Sequence, residues 1–278
     1  MKLKLKMLDL FSGIGGFTLA AQKHGIETIG FCEIDHFCRK VLNKHWPAVP
    51  IHEDITKLAR RIYDCEPESE EGAVECPRCN TDFGDCDCIG TDQFTDTYGF
   101  PNIISGGFPC QDISFNGKGA GLEGARSGLW SEMHRIIDQF QPEWVVAENV
   151  SALVKRGLDR VLQDLAQSGY ICEWHCVPAT AVGAEHKRER IWIVAYHKSL
   201  GVQGLWPKGF KIPHTLDKTL LSLRTSDGQW KVEPDLRRVV DGVPDVSHRL
   251  KAVGNSIVPQ MAEIIFEKIV AVSKTIQR

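Results

Sequence analysis

Short apolar runs separated by stretches of helical period constrain the fold of this chain more than any other feature. Residues 4–10, 28–32, 102–105, 144–147, 171–177 and 191–196 are runs of strand length, while 17–24, 35–46, 129–140 and 157–168 space their apolar side chains as helices do. A short strand near Ile51 follows the punctuation of Pro47 and Pro50. Strands alternating with helices predict an α/β fold, a doubly wound Rossmann-like sheet covered on both faces. Two segments interrupt the alternation. Residues 64–92 carry acids and cysteines without helical period, as an insertion in a connection would. Residues 197–251 hold Gly, Pro, Trp and basic side chains with only short apolar runs and predict a small separate lobe. A helical pattern over 257–273 closes the chain, so the large domain is expected from residues 1–196 and 252–278 together.

A chain of 278 residues suffices for one large core with a smaller appendage, which sets aside a small disulfide-stapled scaffold. No run of about 18 apolar residues occurs and no signal-like segment opens the chain, so a cytoplasmic protein without membrane contact is expected. Thiols stay reduced in that compartment, and the ten cysteines are read first as core residues, metal ligands or catalysts. The formal net charge of -3 is unevenly spread: residues 64–92 hold ten acids against Arg78, whereas 186–231 hold nine Lys/Arg against three acids. A basic segment on a near-neutral body suits a polyanion-binding face, although on charge alone a solvated surface is the simpler reading.

The first chemistry-bearing segment is DLFSGIGG at 9–16. Glycines directly after a strand allow close backbone approach to a ligand, and the helix start that follows offers free amides to a carboxylate. The spacing is not the GxGxxG of dinucleotide folds. Glu33 after the second strand and Asp54 after the third can accept bonds from ribose hydroxyls and an adenine amino group, and the ordered set describes a nucleoside cradle. The second segment is GGFPCQDIS at 106–114. A cysteine held behind a proline at the carboxyl end of a strand stands where open α/β sheets bind ligands, which makes Cys110 a candidate nucleophile. Glu148 in AENV and Arg188 with Arg190 in HKRERIWIVA flank further strands and add a carboxylic acid and two guanidinium groups.

These motifs resemble those of the DNA cytosine-5 methyltransferase family. DLFSGIGGF is similar to its cofactor loop, FCEID and EDI to its second and third cofactor motifs, GFPCQDIS to its nucleophile loop, ENV to its catalytic glutamate motif, KRERIWIV to its arginine motif and GNSIVP to its closing motif. They stand in the family order across nearly the whole chain. His186 departs from the pattern, standing where the family carries glutamine. The resemblance implies S-adenosylmethionine as cofactor, held by Phe11, Ser12, Gly13, Ile14, Gly16, Glu33, Ile34, Asp54, Ile55, Pro109, Leu129, Asn255 and Ser256. It implies a catalytic set of Cys110, Glu148, Arg188 and Arg190. It further implies double-stranded DNA as partner, a cognate restriction enzyme as candidate partner, and a monomer.

The implied chemistry explains the groups. Carbon 5 of cytosine is too poor a nucleophile to be methylated directly, so the Cys110 thiolate first adds to carbon 6. Glu148 then offsets charge at ring nitrogen 3, which requires a raised pKa in a dry pocket. Arg190 binds the ring oxygen at position 2 and orients Glu148, while Arg188 supports the nucleotide. A stacked base is out of reach, so the cytosine must be flipped out. Residues 197–251 correspond to the target recognition region, with Trp206, Lys208, Lys211, Arg224, Trp230 and Lys231 as candidate contacts and Arg126 as a phosphate contact outside it. Relatives that methylate cytosine in transfer RNA supply the alternative substrate. A nicotinamide dehydrogenase would leave Cys110, Glu148 and the arginines unused, and a non-catalytic zinc-bearing DNA-binding protein would form no covalent adduct.

Within the 64–92 insertion, Cys76, Cys79, Cys86 and Cys88 form a CxxC followed by a CxC. Four thiolates would complete a tetrahedral structural zinc site and stabilise a segment too short for its own core, with Cys65 as a substitute ligand. A reduced loop is the alternative. Cys32, Cys38, Cys172 and Cys176 fall in apolar or helical runs and are expected in the core.

Overall fold

A computed structural model of the protein describes residues 4–58, 99–109, 128–182, 188–202, 252 and 254–276. Seven strands form one sheet: β1 (Lys6–Leu10), β2 (Glu27–Cys32), β3 (Ile51–His52), β4 (Ile103–Gly106), β5 (Trp144–Val150), β6 (Tyr170–Pro178) and β7 (Glu189–His197), in the order β3-β2-β1-β4-β5-β7-β6. β1 to β5 run parallel, whereas β7 lies antiparallel between β5 and β6. Strand order reverses between β1 and β4, which opens the switch-point crevice where open α/β sheets bind ligands.

Among the described residues, the helices are α1 (Gly16–Lys23), α2 (His36–His45), α3 (Leu129–Phe140), α4 (Leu153–Arg156), α5 (Leu158–Gln167) and α6 (Pro259–Ile276). Successive strand residues point to opposite faces, and both faces are covered. Leu8, Leu10, Ile104, Val145, Ala147, Ile191 and Ile193 pack with α3 and α5 in one cluster. Met7, Ile103, Trp144, Val146, Trp192 and Val194 pack with α1 and α6 in the other. This two-sided burial, worth about 1.5–3 kcal/mol per large apolar side chain, is why the strands read as apolar runs. Asp35 caps α2 by accepting bonds from the amides of Phe37 (2.9 Å) and Cys38 (3.2 Å).

The closing helix begins at Pro259 and runs to Ile276, so the apolar residues 257 and 258 precede it. Residues at the start of the expected small lobe belong to the sheet body: β7 extends to His197, and Val202 is buried in the α1/α6 cluster. The remainder of that lobe, 203–251, lies outside the described residues, as do the 64–92 insertion and its zinc-candidate cysteines Cys76, Cys79, Cys86 and Cys88. Cys32 and Cys38 are buried, and Cys172 and Cys176 are half-buried against the α3/α5 cluster. Among the described residues, no group of three or more His, Cys, Asp and Glu side chains is arranged to hold a metal ion, and no helix is long and apolar enough to cross a membrane.

Candidate active site

The first loop leaves β1 with Phe11 at φ 52, followed by Gly13 (φ 55) and Gly15 (φ 88). A bulky residue in the left-handed region is strained by about 1–3 kcal/mol, and here the strain lies directly at the switch point. Ser12 stitches the loop to β2: its Oγ donates to the Asp9 carbonyl (2.6 Å), and the Cys32 amide donates to it (3.2 Å). Glu33 then fixes both sides, with Oε2 accepting from the Gly13 amide and Oε1 from the Asp35 amide, each at 2.7 Å. Burial raises the Glu33 pKa, and the Asp35 and Gly13 amides oppose the rise. Gly15, at the N-terminus of α1, provides no side-chain cap. Beyond Glu33, an open depression of about 510 Å³ is lined by Ile34, Arg39, His52, Glu53, Asp54 and Lys57. Ile34 is 76% exposed there. The amide and hydroxyl of Thr56 donate to Asp54 and hold its carboxyl below the usual range.

A second group forms where β4, β5 and β7 meet the same edge of the sheet. Arg190 pairs in register with Val150, two residues from Glu148, so both side chains lie on one face and the Arg190 Nε stands 2.9 Å from Glu148 Oε1. Glu148 is buried; desolvation raises its pKa, and the guanidinium groups of Arg190 and Arg188 oppose that rise. A Cβ on Gly107 would stand 3.4 Å from Glu148 Oε2, an ordinary contact distance, so the carboxyl borders the segment leading to Cys110. Asn149 holds that segment by donating from Nδ2 to the Phe108 carbonyl (3.1 Å). Cys110 and Arg126 themselves lie outside the described residues.

The closing motif packs on the first loop. A Cβ on Gly16 would lie 2.6 Å from Ile257 Cγ1 and 3.4 Å from Ser256 Oγ. Asn255 is exposed, and Arg188 donates from Nη1 to the neighbouring Gly254 carbonyl, tying the arginine segment to the closing motif. Phe11, Gly13, Ile14, Pro109 and Ser256 are partly buried along this edge. Ile55 points instead into the α3/α5 core, and Leu129 packs against that core. Two polar residues that the sequence did not single out are Asp9 and Asn149, both buried. Their positions at the head of DLFSGIGG and within ENV were the available signals.

The family model for C-5 cytosine-specific DNA methylase matches residues 5–70 and 68–241. A type II methyltransferase of Neisseria gonorrhoeae, M.NgoBI, is 32% identical over 199 residues, covering 70% of this chain and 51% of the relative. The Bacillus subtilis type II methyltransferase M2.BsuMI is 28% identical over 199 residues, 69% of this chain and 42% of its own. The chain thus spans about half the length of these relatives. Among solved structures, a Spodoptera frugiperda DNMT2 variant superposes with a TM-score of 0.51 at 18% identity, over 74% of this chain and 53% of the other, a likeness of fold. With the family model matched over more than half of its length, the chain belongs to the C-5 cytosine-specific DNA methylase family.

Proposed function

We propose that this protein transfers a methyl group from S-adenosylmethionine to carbon 5 of cytosine in double-stranded DNA, with Cys110 as the transient nucleophile on a flipped base. The observation that carries this reading is Glu148, buried against Arg190 and bordering Gly107, three residues before Cys110. The first loop fits the cofactor. The Gly13 amide is held by Glu33, the α1 start lacks a side-chain cap, and the depression between Ile34 and Asp54 offers an apolar surface beside an acid. Phe11, Ser12, Gly13, Ile14, Gly16, Glu33, Ile34, Asp54, Pro109, Asn255 and Ser256 would hold the cofactor, with Ile55 and Leu129 supporting from the core side. When bound, S-adenosylmethionine supplies an electrophilic methyl group.

The chain's own groups do the rest. The Cys110 thiolate adds to carbon 6 and makes carbon 5 electron-rich, while Glu148 holds a proton at ring nitrogen 3 and Arg190 orients both Glu148 and the ring oxygen. Arg188 supports the nucleotide. Loss of the carbon 5 proton after methylation expels Cys110 and restores the ring. The segment 197–251 would supply target recognition through its residues beyond Val202, which lie outside the described residues. A restriction enzyme of the same specificity would be its functional counterpart. Cys76, Cys79, Cys86 and Cys88 would bind one structural zinc ion.

Sequencing of bisulfite-treated DNA from cells expressing the protein tests the activity. Protected cytosines in a fixed sequence context are expected. A background identical to that of cells expressing Cys110→Ser would refute DNA methylation, and methylated transfer RNA in its place would redirect the substrate assignment.

A further inference from the structure

Asp9 is a fully buried carboxyl on β1 with no part in the proposed chemistry. It sits on the α1/α6 side of the sheet beside Met7 and Ile103, among apolar side chains, where an aliphatic residue would carry no desolvation cost. Its two oxygens are both engaged. Ser105, its register partner on β4, donates to Oδ1 (3.0 Å), and Thr18 in the first turn of α1 donates to Oδ2 (2.9 Å). Thr28 on β2 donates in turn to Thr18 (3.1 Å), and the Asp9 carbonyl accepts from Ser12 in the first loop. A single residue therefore joins β1, β2, β4 and α1 at the root of both loops that border the switch-point crevice.

We propose that Asp9 is a positioning residue that ties the cofactor loop to the strand carrying the Cys110 segment, so that one buried carboxyl sets both edges of the crevice. The inference rests on the proposed function. Ser105 stands five residues before Cys110 and two before Gly107, which borders Glu148, so a shift of β4 moves the reacting groups. Thr18 orients the helix start that follows the cofactor loop. Burial pushes the Asp9 carboxyl up to about 7, opposed by the Thr18 and Ser105 hydroxyls, with the carboxyl of Glu33, just past the end of β2, acting in the same direction as burial. At pH 8 the carboxylate accepts from both hydroxyls.

The test uses the full chain at pH 8, with S-adenosylhomocysteine for calorimetry and unmethylated genomic DNA as methyl acceptor. Ser105→Ala is expected to lower kcat about tenfold while affinity for S-adenosylhomocysteine stays within about twofold, because only the β4 tie is lost. Thr18→Val should weaken that affinity about tenfold, and Thr18→Ser, which keeps the hydroxyl, should restore it. Asp9→Ala, which leaves neither hydroxyl an acceptor, should do both, and adding Ser105→Ala to it should cost nothing further in kcat or in thermal stability, since the two act through one bond. Unchanged kcat in Ser105→Ala, or independent multiplication of the two effects in the double variant, would overturn the inference. Should Asp9→Ala fail to fold, Ser105→Ala and the Thr18 pair decide it. A wild-type chain that methylates no DNA would remove the proposed function and this inference with it, whereas active wild type with an unaltered Ser105→Ala removes this inference alone.

Discussion

Glu148 and Asp9 are carboxyls buried in neighbouring parts of one sheet, and they differ in what faces them. Burial raises both, but Glu148 meets two guanidinium groups that favour its charge, while Asp9 meets hydroxyls and the like charge of Glu33. A folded pKa above the unfolded value means that the native state binds the proton more tightly. The stabilisation is then complete below the unfolded pKa and is lost as pH rises through the folded one. For Asp9 that window runs from 3.8 to about 7. Thermal unfolding of the wild type should therefore lose a few kcal/mol across this range relative to Asp9→Asn, which cannot ionise. Parallel pH profiles for the two proteins would show that Asp9 does not carry the linkage. At the reaction centre, Glu148→Gln keeps the shape and loses the acid, and it should slow methyl transfer about a hundredfold or more with DNA affinity retained. Glu33→Ala removes the acceptor for the Gly13 and Asp35 amides and should weaken cofactor binding far more than DNA binding. Calorimetry with unchanged cofactor affinity in that variant would withdraw Glu33 from the cofactor site.

Elements carry these residues to one edge of the sheet, and their packing makes a further outcome testable. Gly16 lies under Ile257, so α1 and the closing motif approach too closely for any side chain between them. Gly16→Ala should destabilise the fold by about 1–3 kcal/mol and weaken cofactor binding, because the added methyl pushes the closing motif off the loop. Chemical denaturation and calorimetry on the same preparation would read both, and an unperturbed variant would contradict the observed closeness. The apolar runs of the sequence mark these strands well, since burial on both faces removes the polar alternation that would blur them. Direction is another matter: the run at 191–196 is equally apolar whichever way it points, so the antiparallel placement of β7 was not legible. That placement matters, because the start of β7 brings Arg190 to the edge where Glu148 stands. Glu33, Asp54 and Glu148 were legible as acids at strand ends. Asp9 was not, because its value lies in Ser105, 96 residues away, which only the sheet brings beside it.

At the scale of the whole chain, the sheet is accompanied by segments whose roles are expectations from the sequence. The expected target recognition region, 197–251, opens with residues that belong to the sheet body, and its remainder lies outside the described residues. Four cysteines at 76, 79, 86 and 88 predict about one zinc per chain, lost in a Cys76→Ser/Cys79→Ser double variant. Elemental analysis that finds no zinc in protein purified without chelator would refute the site. The central claim is that Cys110 bonds to the cytosine ring, and a bond of that kind can be caught. DNA carrying 5-fluorocytosine in place of cytosine leaves fluorine where a proton must depart, so the enzyme cannot be released after methylation. Denaturing electrophoresis of such DNA mixed with the full chain should reveal a covalent complex that requires S-adenosylmethionine and vanishes in Cys110→Ser. A complex of equal yield with Cys110→Ser would place the nucleophile elsewhere and contradict the account.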